Sequence, residues 1–531
     1  MATTGAAATL LTLNIPIFEG QGTSTTKYNV AFRQVSADAR GASGSLLLKS
    51  CHEAFLEECT SLTSDEILGL GLDVAAFTTP ESLLSSTEVR NFENAVIAGT
   101  TVFLIHALRY LAHVESFASS SGSTNPFTDI LHGNIQHRVG IAGFSSGVLA
   151  ASLVATSRNR TSFLSHAVEI YRLAFWIGVR VQLFRVGQLR PELGLKWQNE
   201  PWSRVFMDID AVDLSARVSE FNADRHSNDA LAITAVINDS TVTISARPDS
   251  LASFVQSLPE HDFRIQKSDV YTLYHCASLA PVKAQILQDV ARRDIQLPSQ
   301  SQIFVPLRST INGEPIDVST GVRLVDSLLD MIITEPVNWD KVTLSIAKAI
   351  PSQSDARLLN FGPGSGLCRL MSKGMSKDNV SVVDEISPAA GSDAGSLNEP
   401  VAIVGMAVNM PGAPNLAKLW EVLEQGINTV CEVPSSRFDI SQFNGPDALS
   451  KGRFMKTRTG NFIDDPSLFD NKFFRISPRE AKSMDPQQRI LLHAAQEALD
   501  DAGYVPNATP SFQQDSFACY VGAAGGDWVD N

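Results

Sequence analysis

Residues 138–157 read RVGIAGFSSGVLAASLVATS, and this stretch decides the fold class. A short β-rich run, Arg138–Phe144, leads at once into Ser145-Ser146-Gly147, and the apolar, small-residue segment after it has helical character. Strand, sharp turn and helix in that order are expected of a parallel α/β unit. Gly143-Phe144-Ser145-Ser146-Gly147 fits the pattern GxSxG. A serine on such a turn has a strained backbone, and a Cβ at either glycine of the motif would clash. The helix that follows aims free N–H groups and the positive end of its dipole at the site, which suits a developing oxyanion. Ser145 is therefore the candidate nucleophile; the plain alternative is a tight Gly/Ser turn without chemistry.

Upstream, TLLTLNIPIFEGQGT (residues 9–23) is an apolar run ending in a glycine-rich turn, read as a buried strand and a loop. A loop after the first strand can carry a backbone N–H across the site and complete an oxyanion hole with the N–H of Ser146, with Gln21 the candidate donor; taken alone, the motif reads as a plain glycine turn. No cation precedes Leu10–Phe18, so a signal peptide is not expected. Ala95 to Val114, interrupted by His106 and Arg109, is read as a buried helix too short and too polar to span a bilayer.

Downstream, the texture changes between Val205 and Gln266. LAITAVINDSTVTISA (residues 231–246) reads as two strands joined at Asn238-Asp239, and ARPDSLASFVQSL as a helix, which suggests a small α+β subdomain inserted over about 205–268. A last helix-and-strand pattern covers Leu324–Ile350 and Ala356–Phe361. Asp384 to Pro400 is acidic, polar and without apolar period, a linker by composition. An apolar strand, VAIVGMAV, opens a second domain. The expected division is 1–383, a linker at 384–398, and 399–531.

A serine needs a base near neutral pH. His137 is nearest in sequence but precedes the strand; His275, in VYTLYHCASLAP, lies where the insert rejoins the main fold. The residues alone leave the choice among ten histidines open. The net charge of −15 over 531 residues argues against a nucleic-acid binder. Six cysteines without paired CxxC spacing suggest neither a metal site nor a disulfide framework, and fit reduced thiols in a cytoplasmic protein.

Taken together, GQG, the serine turn, the insert and the histidine after it resemble, in order, an acyltransferase of the fatty-acid and polyketide synthase type. YHCASLAPV resembles that family's histidine motif, and EPVNW (Glu335–Trp339) and LNFGPGSG (Leu359–Gly366) its closing segments. The resemblance implies an α/β acyltransferase fold, with an α/β-hydrolase-like parallel core and an inserted ferredoxin-like subdomain. It makes His275 the general base, oriented by a backbone carbonyl near Ile332. Malonyl-specific relatives carry histidine where Phe144 stands, and an arginine where an ungapped count puts Ile170; Arg172 is close by. Loss of that arginine implies a neutral acyl chain. RLAFWIG and FGPGSG are specifically similar to the starter-unit acyl-carrier-protein transacylase domains of fungal non-reducing polyketide synthases. Many of those use cysteine as nucleophile; this chain has serine.

EPVAIVGMAVNMPG and the run from Gly460 to Gly503 resemble the start of a thiolase-like β-ketoacyl synthase. The chain ends about a third of the way through such a domain, before the family's cysteine and histidines. The expectation is a fragment or an incomplete gene model without ketosynthase activity, able to dimerise only through a complete ketosynthase. The implied function is transfer of a starter acyl group through acyl-Ser145 to the phosphopantetheine thiol of an acyl carrier protein, priming aromatic polyketide synthesis. No bound cofactor is implied; the partners are a carrier domain in cis and a donor carrier in trans, with no nucleic acid and no membrane. Carriers are usually acidic, and Arg158–Lys196 holds seven cationic residues against Glu169 and Glu192. Arg158 and Arg160, in the loop SRNR, are the candidate docking residues. A serine hydrolase or thioesterase is the alternative, because Asp208, Asp210 and Asp213 lie between Ser145 and His275. A chain that only docks partners is a distant third.

Overall fold

The first strand, β1 (Leu13–Phe18), alternates so that Leu13, Ile15 and Ile17 enter one core layer while Phe18 enters the other. Burial on both faces is what a central parallel strand requires. A computed structural model describes residues 12–22, 31, 35–84, 93–189, 200–226, 229–258, 263–364, 366–384, 403–444, 454–504 and 519–522. The chain divides into two units, Met1–Ser392 and Asp393–Asn531. Apart from Asp384, the linker expected at 384–398 lies outside the described residues.

In the first unit β1 lies between β2 (Ala142–Gly143) and β8 (Ala356–Asn360), with β9 (Val380–Asp384) beyond β8, and all three pairings are parallel. The β-rich run 138–144 contributes only those two residues of β2: Arg138 and Gly140 take positive φ, 52° and 96°, and Ile141 bridges Leu307 instead. One layer of helices comprises α1 (Ala42–Thr60), α2 (Ala95–Ser121), α3 (Gly147–Thr156), α4 (Arg160–Gln188) and α7 (Ala280–Arg292). The other comprises α8 (Trp339–Ala349) and α9 (Gly366–Met375).

α2 is longer than the sequence suggested. Asn94 caps it by accepting the Val96 N–H at 3.0 Å, and it runs for 27 residues until Gly122 takes φ 67°. By length and composition it could cross a membrane, yet most of it is buried inside the protein. His106, on this helix, is fully buried, edge-on to Phe18 at 5.4 Å between centroids, and among the described residues neither ring nitrogen has a hydrogen-bond partner. Burial pushes its pKa down to about 3. His106→Phe keeps a ring and removes two unpaired polar atoms, so it should stabilise the fold by about 1 kcal/mol. The neutral histidine weakens the wild type as pH falls from 6.5 towards 3, and the variant should lack that loss. Thermal melts across pH check both statements.

The insert is built from β3 (Ser203–Met207), α5 (Ala211–Asn222), β4 (Ala232–Asn238), β5 (Thr241–Ser245), α6 (Pro248–Ser257) and β6 (Arg264–Ser268). Its antiparallel order, β6-β3-β5-β4, is the ferredoxin-like one, and β7 (Val337–Asn338) adds in parallel to β4. The sequence showed β4, β5 and α6 but not α5, which buries only Leu214 and Val218 and so carries little apolar period.

The second unit contains α10 (Leu416–Gln425), α11 (Pro486–Asp501) and the short antiparallel pair β10 (Cys431–Glu432) and β11 (Thr459–Gly460). The strand expected in VAIVGMAV does not form over residues 403–408. Ile403 and Val404 are exposed, and among the described residues no strand lies beside them to supply a ladder.

Candidate active site

Phe144 N–H donates to the carbonyl of Phe18 at 2.8 Å, which ties the turn after β2 to the end of β1. The turn is closed so tightly that a Cβ on Gly143 would sit 2.1 Å from the Gly147 carbonyl carbon, and one on Gly147 would sit 2.3 Å from Phe18 O. Both glycines of GxSxG are thus steric requirements. Ser145, between them, is held at φ 54°, a left-handed backbone that a non-glycine residue adopts at a cost and that clusters at functional sites. The Phe144 side chain meets the ring of Trp339 edge-on at 5.5 Å, so it serves the α8 side of the core.

Ser145 Oγ lies 2.7 Å from His275 Nε2. His275 is itself held at φ 56°. A π-helical turn, Asp330–Thr334, positions its segment: Ile332 O accepts the His275 N–H at 3.2 Å and Ile333 O the Cys276 N–H at 2.9 Å. The carbonyl on the ring is that of Glu335, 3.2 Å from Nδ1. The expected orienting carbonyl near Ile332 is therefore corrected: Ile332 holds the histidine backbone and Glu335 holds the ring. A carbonyl only accepts, so Nδ1 carries the proton and Nε2 is left to accept from Ser145. Burial pushes the His275 pKa down to about 4, partly offset by the carbonyls of Glu335 and Met331. The imidazole is neutral at pH 7 and able to take a proton.

The N–H groups of Gly147, Val148 and Leu149 close back on the carbonyls of Phe144, Ser145 and Ser146. Among the described residues the N–H of Ser146 and that of Gln21 donate to no other group. Gln21 follows Gly20, where a Cβ would come within 2.9 Å of Ser145 Cβ, and its side chain neighbours the buried Tyr274 phenol. Both N–H groups are thus uncommitted among the described residues, one on the residue after the nucleophile and one on the residue after Gly20.

Several charged residues singled out by sequence are engaged away from the site. None of the aspartates of a Ser–Asp–His reading serves His275: Asp208 pairs with Arg264 at 2.8 Å, Asp213 with Arg217 at 3.0 Å, and Asp210 caps α5. Arg172 is committed elsewhere, bonding Glu58 at 2.6 Å, Glu169 at 3.1 Å and the Arg293 carbonyl at 2.7 Å. Burial raises the Glu58 pKa, but hydrogen bonds from Arg293, Arg172 and Trp176 outweigh it and hold the carboxyl below its ordinary value. The cationic excess of Arg158–Lys196 is also smaller than its count. Arg180 pairs with Asp289 and Glu66, and Arg185 bonds the Glu93 carbonyl, while Arg190, Glu192 and Lys196 lie outside the described residues. Arg160 is exposed and 3.5 Å from Glu115; Arg158 is exposed and lies over the Phe304 ring at 4.6 Å.

Residues 18–275 match the family model described as starter unit:ACP transacylase in aflatoxin biosynthesis, and residues 398–531 match the β-ketoacyl synthase N-terminal domain. The chain carries a starter unit:ACP transacylase domain followed by the N-terminal domain of a ketosynthase. Its relatives are fungal polyketide synthases. An orsellinic acid synthase of Armillaria ostoyae is 45% identical over 98% of this chain and 23% of its own length. Non-reducing polyketide synthase 1 of Elsinoe fawcettii is 30% identical over 80% of this chain and 19% of its own. The chain thus spans about a quarter of such relatives or less. Among solved structures, MCAT from Mycobacterium tuberculosis resembles it at TM-score 0.46 and 15% identity, covering 71% of this chain and 97% of that one.

In the transacylase domain, Arg172→Ala leaves a buried carboxylate short of a partner and should cost ~3 kcal/mol. It should not alter the preference between malonyl and neutral acyl groups. Urea unfolding and a competition assay with the two thioesters separate these effects. The Glu335 carbonyl has no side-chain signature, so only the resemblance of EPVNW to a closing segment pointed to its vicinity.

Proposed function

We propose that the transacylase domain moves a neutral starter acyl group from a donor thioester to the phosphopantetheine thiol of an acyl carrier protein, through an ester on Ser145. The observation that carries this reading is the 2.7 Å contact between Ser145 Oγ and His275 Nε2 on a strained turn between two sterically required glycines. Ser145 attacks the thioester carbonyl while His275 Nε2 takes its proton. The N–H groups of Gln21 and Ser146 receive the charge of the tetrahedral oxyanion. Collapse expels the donor thiol, which regains the proton from His275. In the second half, His275 deprotonates the incoming carrier thiol, the thiolate attacks the acyl-serine, and Ser145 leaves with that proton. No resident cofactor enters this scheme, and none of its chemistry uses residues 398–531.

The engagement of Arg172 in ion pairs supports a neutral substrate, since a buried unpaired malonyl carboxylate would be costly. A neutral acyl thioester should therefore outcompete malonyl for loading, and faster malonyl loading in a mixed assay would contradict that part of the reading. Relatives named for orsellinic acid, an aromatic acid, support priming of an aromatic polyketide. Steady-state kinetics with varied donor and acceptor test the class of reaction: parallel double-reciprocal lines are expected of an acyl-enzyme route, and intersecting lines count against it.

For carrier docking the reading keeps Arg158 and Arg160, the exposed cations just after the nucleophile helix. Reversing both to glutamate should slow transfer to carrier protein and leave transfer to free pantetheine unchanged, and salt should slow the wild-type carrier reaction. Equal losses with both acceptors would place the damage in the site itself.

A further inference from the structure

Glu19 is buried where a packed apolar residue would cost less, and its carboxylate reaches away from the chemistry. Oε1 accepts the Leu367 N–H at 3.0 Å, in the first turn of α9. The loop before α9 lies directly on Glu19: a Cβ at Gly362 would come within 2.4 Å of Glu19 Cβ and 2.5 Å of Cγ. Asn360 fixes that loop, accepting the Gly362 N–H at 3.1 Å and donating to Gly364 O at 2.6 Å and to Asp384 at 2.8 Å. On the opposite side, the next residue, Gly20, touches the nucleophile turn, where a Cβ would sit 2.8 Å from Phe144 O and 2.9 Å from Ser145 Cβ. A continuous run of contacts therefore joins β8 and β9, through Asn360, the FGPG loop and Glu19, to the backbone that presents Gln21.

We propose that Glu19 is a positioning residue, whose bond to Leu367 N–H fixes the backbone of Gly20-Gln21 so that the Gln21 N–H meets the developing oxyanion. This deepens the acyl-Ser145 reading and rests on it. The bond, rather than the charge, does the positioning. An oxyanion donor must be held close to its mark, and a displacement of about 1 Å costs about 10²-fold in rate.

The test is single-turnover acylation of the full chain by an acyl thioester, followed by intact mass over a range of thioester concentrations. Glu19→Gln retains an oxygen acceptor for the same N–H and should keep a maximal rate within ~3-fold of wild type. Glu19→Asp keeps the charge but is one methylene short, and Glu19→Ala removes the group. Both should lower the maximal rate by ~10–100-fold with the half-saturating concentration little changed. Wild-type rates in the Asp and Ala variants would overturn the inference, as would equal losses in Gln and Asp. Should the Ala variant fail to fold, the contrast between Gln and Asp still decides. An adduct that persists in Ser145→Ala would overturn the acyl-Ser145 reading, and this inference with it, whereas wild-type rates at Glu19→Asp overturn the inference alone.

Discussion

Ser145→Ala is expected to form no acyl-enzyme with any thioester, while Ser146→Ala loads at close to the wild-type rate. The two hydroxyls are adjacent in sequence but differ in surroundings. Ser145 Oγ is 2.7 Å from a neutral imidazole, on a backbone strained to φ 54°. Ser146 Oγ is buried and bonded to nothing among the described residues, so only the backbone of Ser146 has a role. Removing the nucleophile removes the covalent route itself, whereas deleting an unpartnered hydroxyl leaves the N–H where it was. Intact mass after a brief incubation reads both variants. A full adduct on Ser145→Ala would move the nucleophile elsewhere.

The second large effect belongs to His275. His275→Ala should lower acylation by about 10²–10⁴-fold, the range for a lost general base, while His137→Ala stays near wild type. The pH dependence carries a sharper signature. Burial holds the imidazole at about 4 instead of its ordinary 6.5, so the base stays competent well below neutrality. The acid limb of the acylation rate should fall near pH 4, and a limb at 6.5 would contradict a buried base. Stability runs in the same direction. The unfolded chain takes up its proton at 6.5 and the folded one only near 4, so the contribution is full above 6.5 and is lost as pH falls between those values. Rates read within seconds of a pH jump keep the two effects apart.

How legible this site was depended on whether the physics was local. The serine turn could be read because a strand, two small residues and a helix are contiguous in the chain, and the steric demand at Gly143 acts within five residues, whereas that at Gly147 comes from the distant Phe18 and Glu19 carbonyls. His275 lies 130 residues from Ser145, and only the resemblance singled it out. The Glu335 carbonyl has no side-chain identity to read. The cationic run after the nucleophile misled for a related reason. Arg172 and Arg180 look like surface charges in sequence, but their acidic partners Glu58 and Asp289 stand 114 and 109 residues away, and only the packing of α1, α4 and α7 brings them together. Glu19 was passed over beside a conspicuous Gly-Gln-Gly, because its partner Leu367 N–H is 348 residues distant. In the insert, β4 and β5 announced themselves by alternation, while α5 buried too few side chains to show a helical period.

The most direct test of the whole account is a chase. The acyl-enzyme is formed with a neutral thioester, freed of donor by rapid desalting, and mixed with a carrier protein bearing phosphopantetheine. Both proteins are then followed by intact mass. The account predicts that the acyl mass leaves the peptide containing Ser145 and appears on the carrier thiol faster than free acid forms. Release as free acid at the same rate with and without carrier would contradict it, and would make the domain a thioesterase.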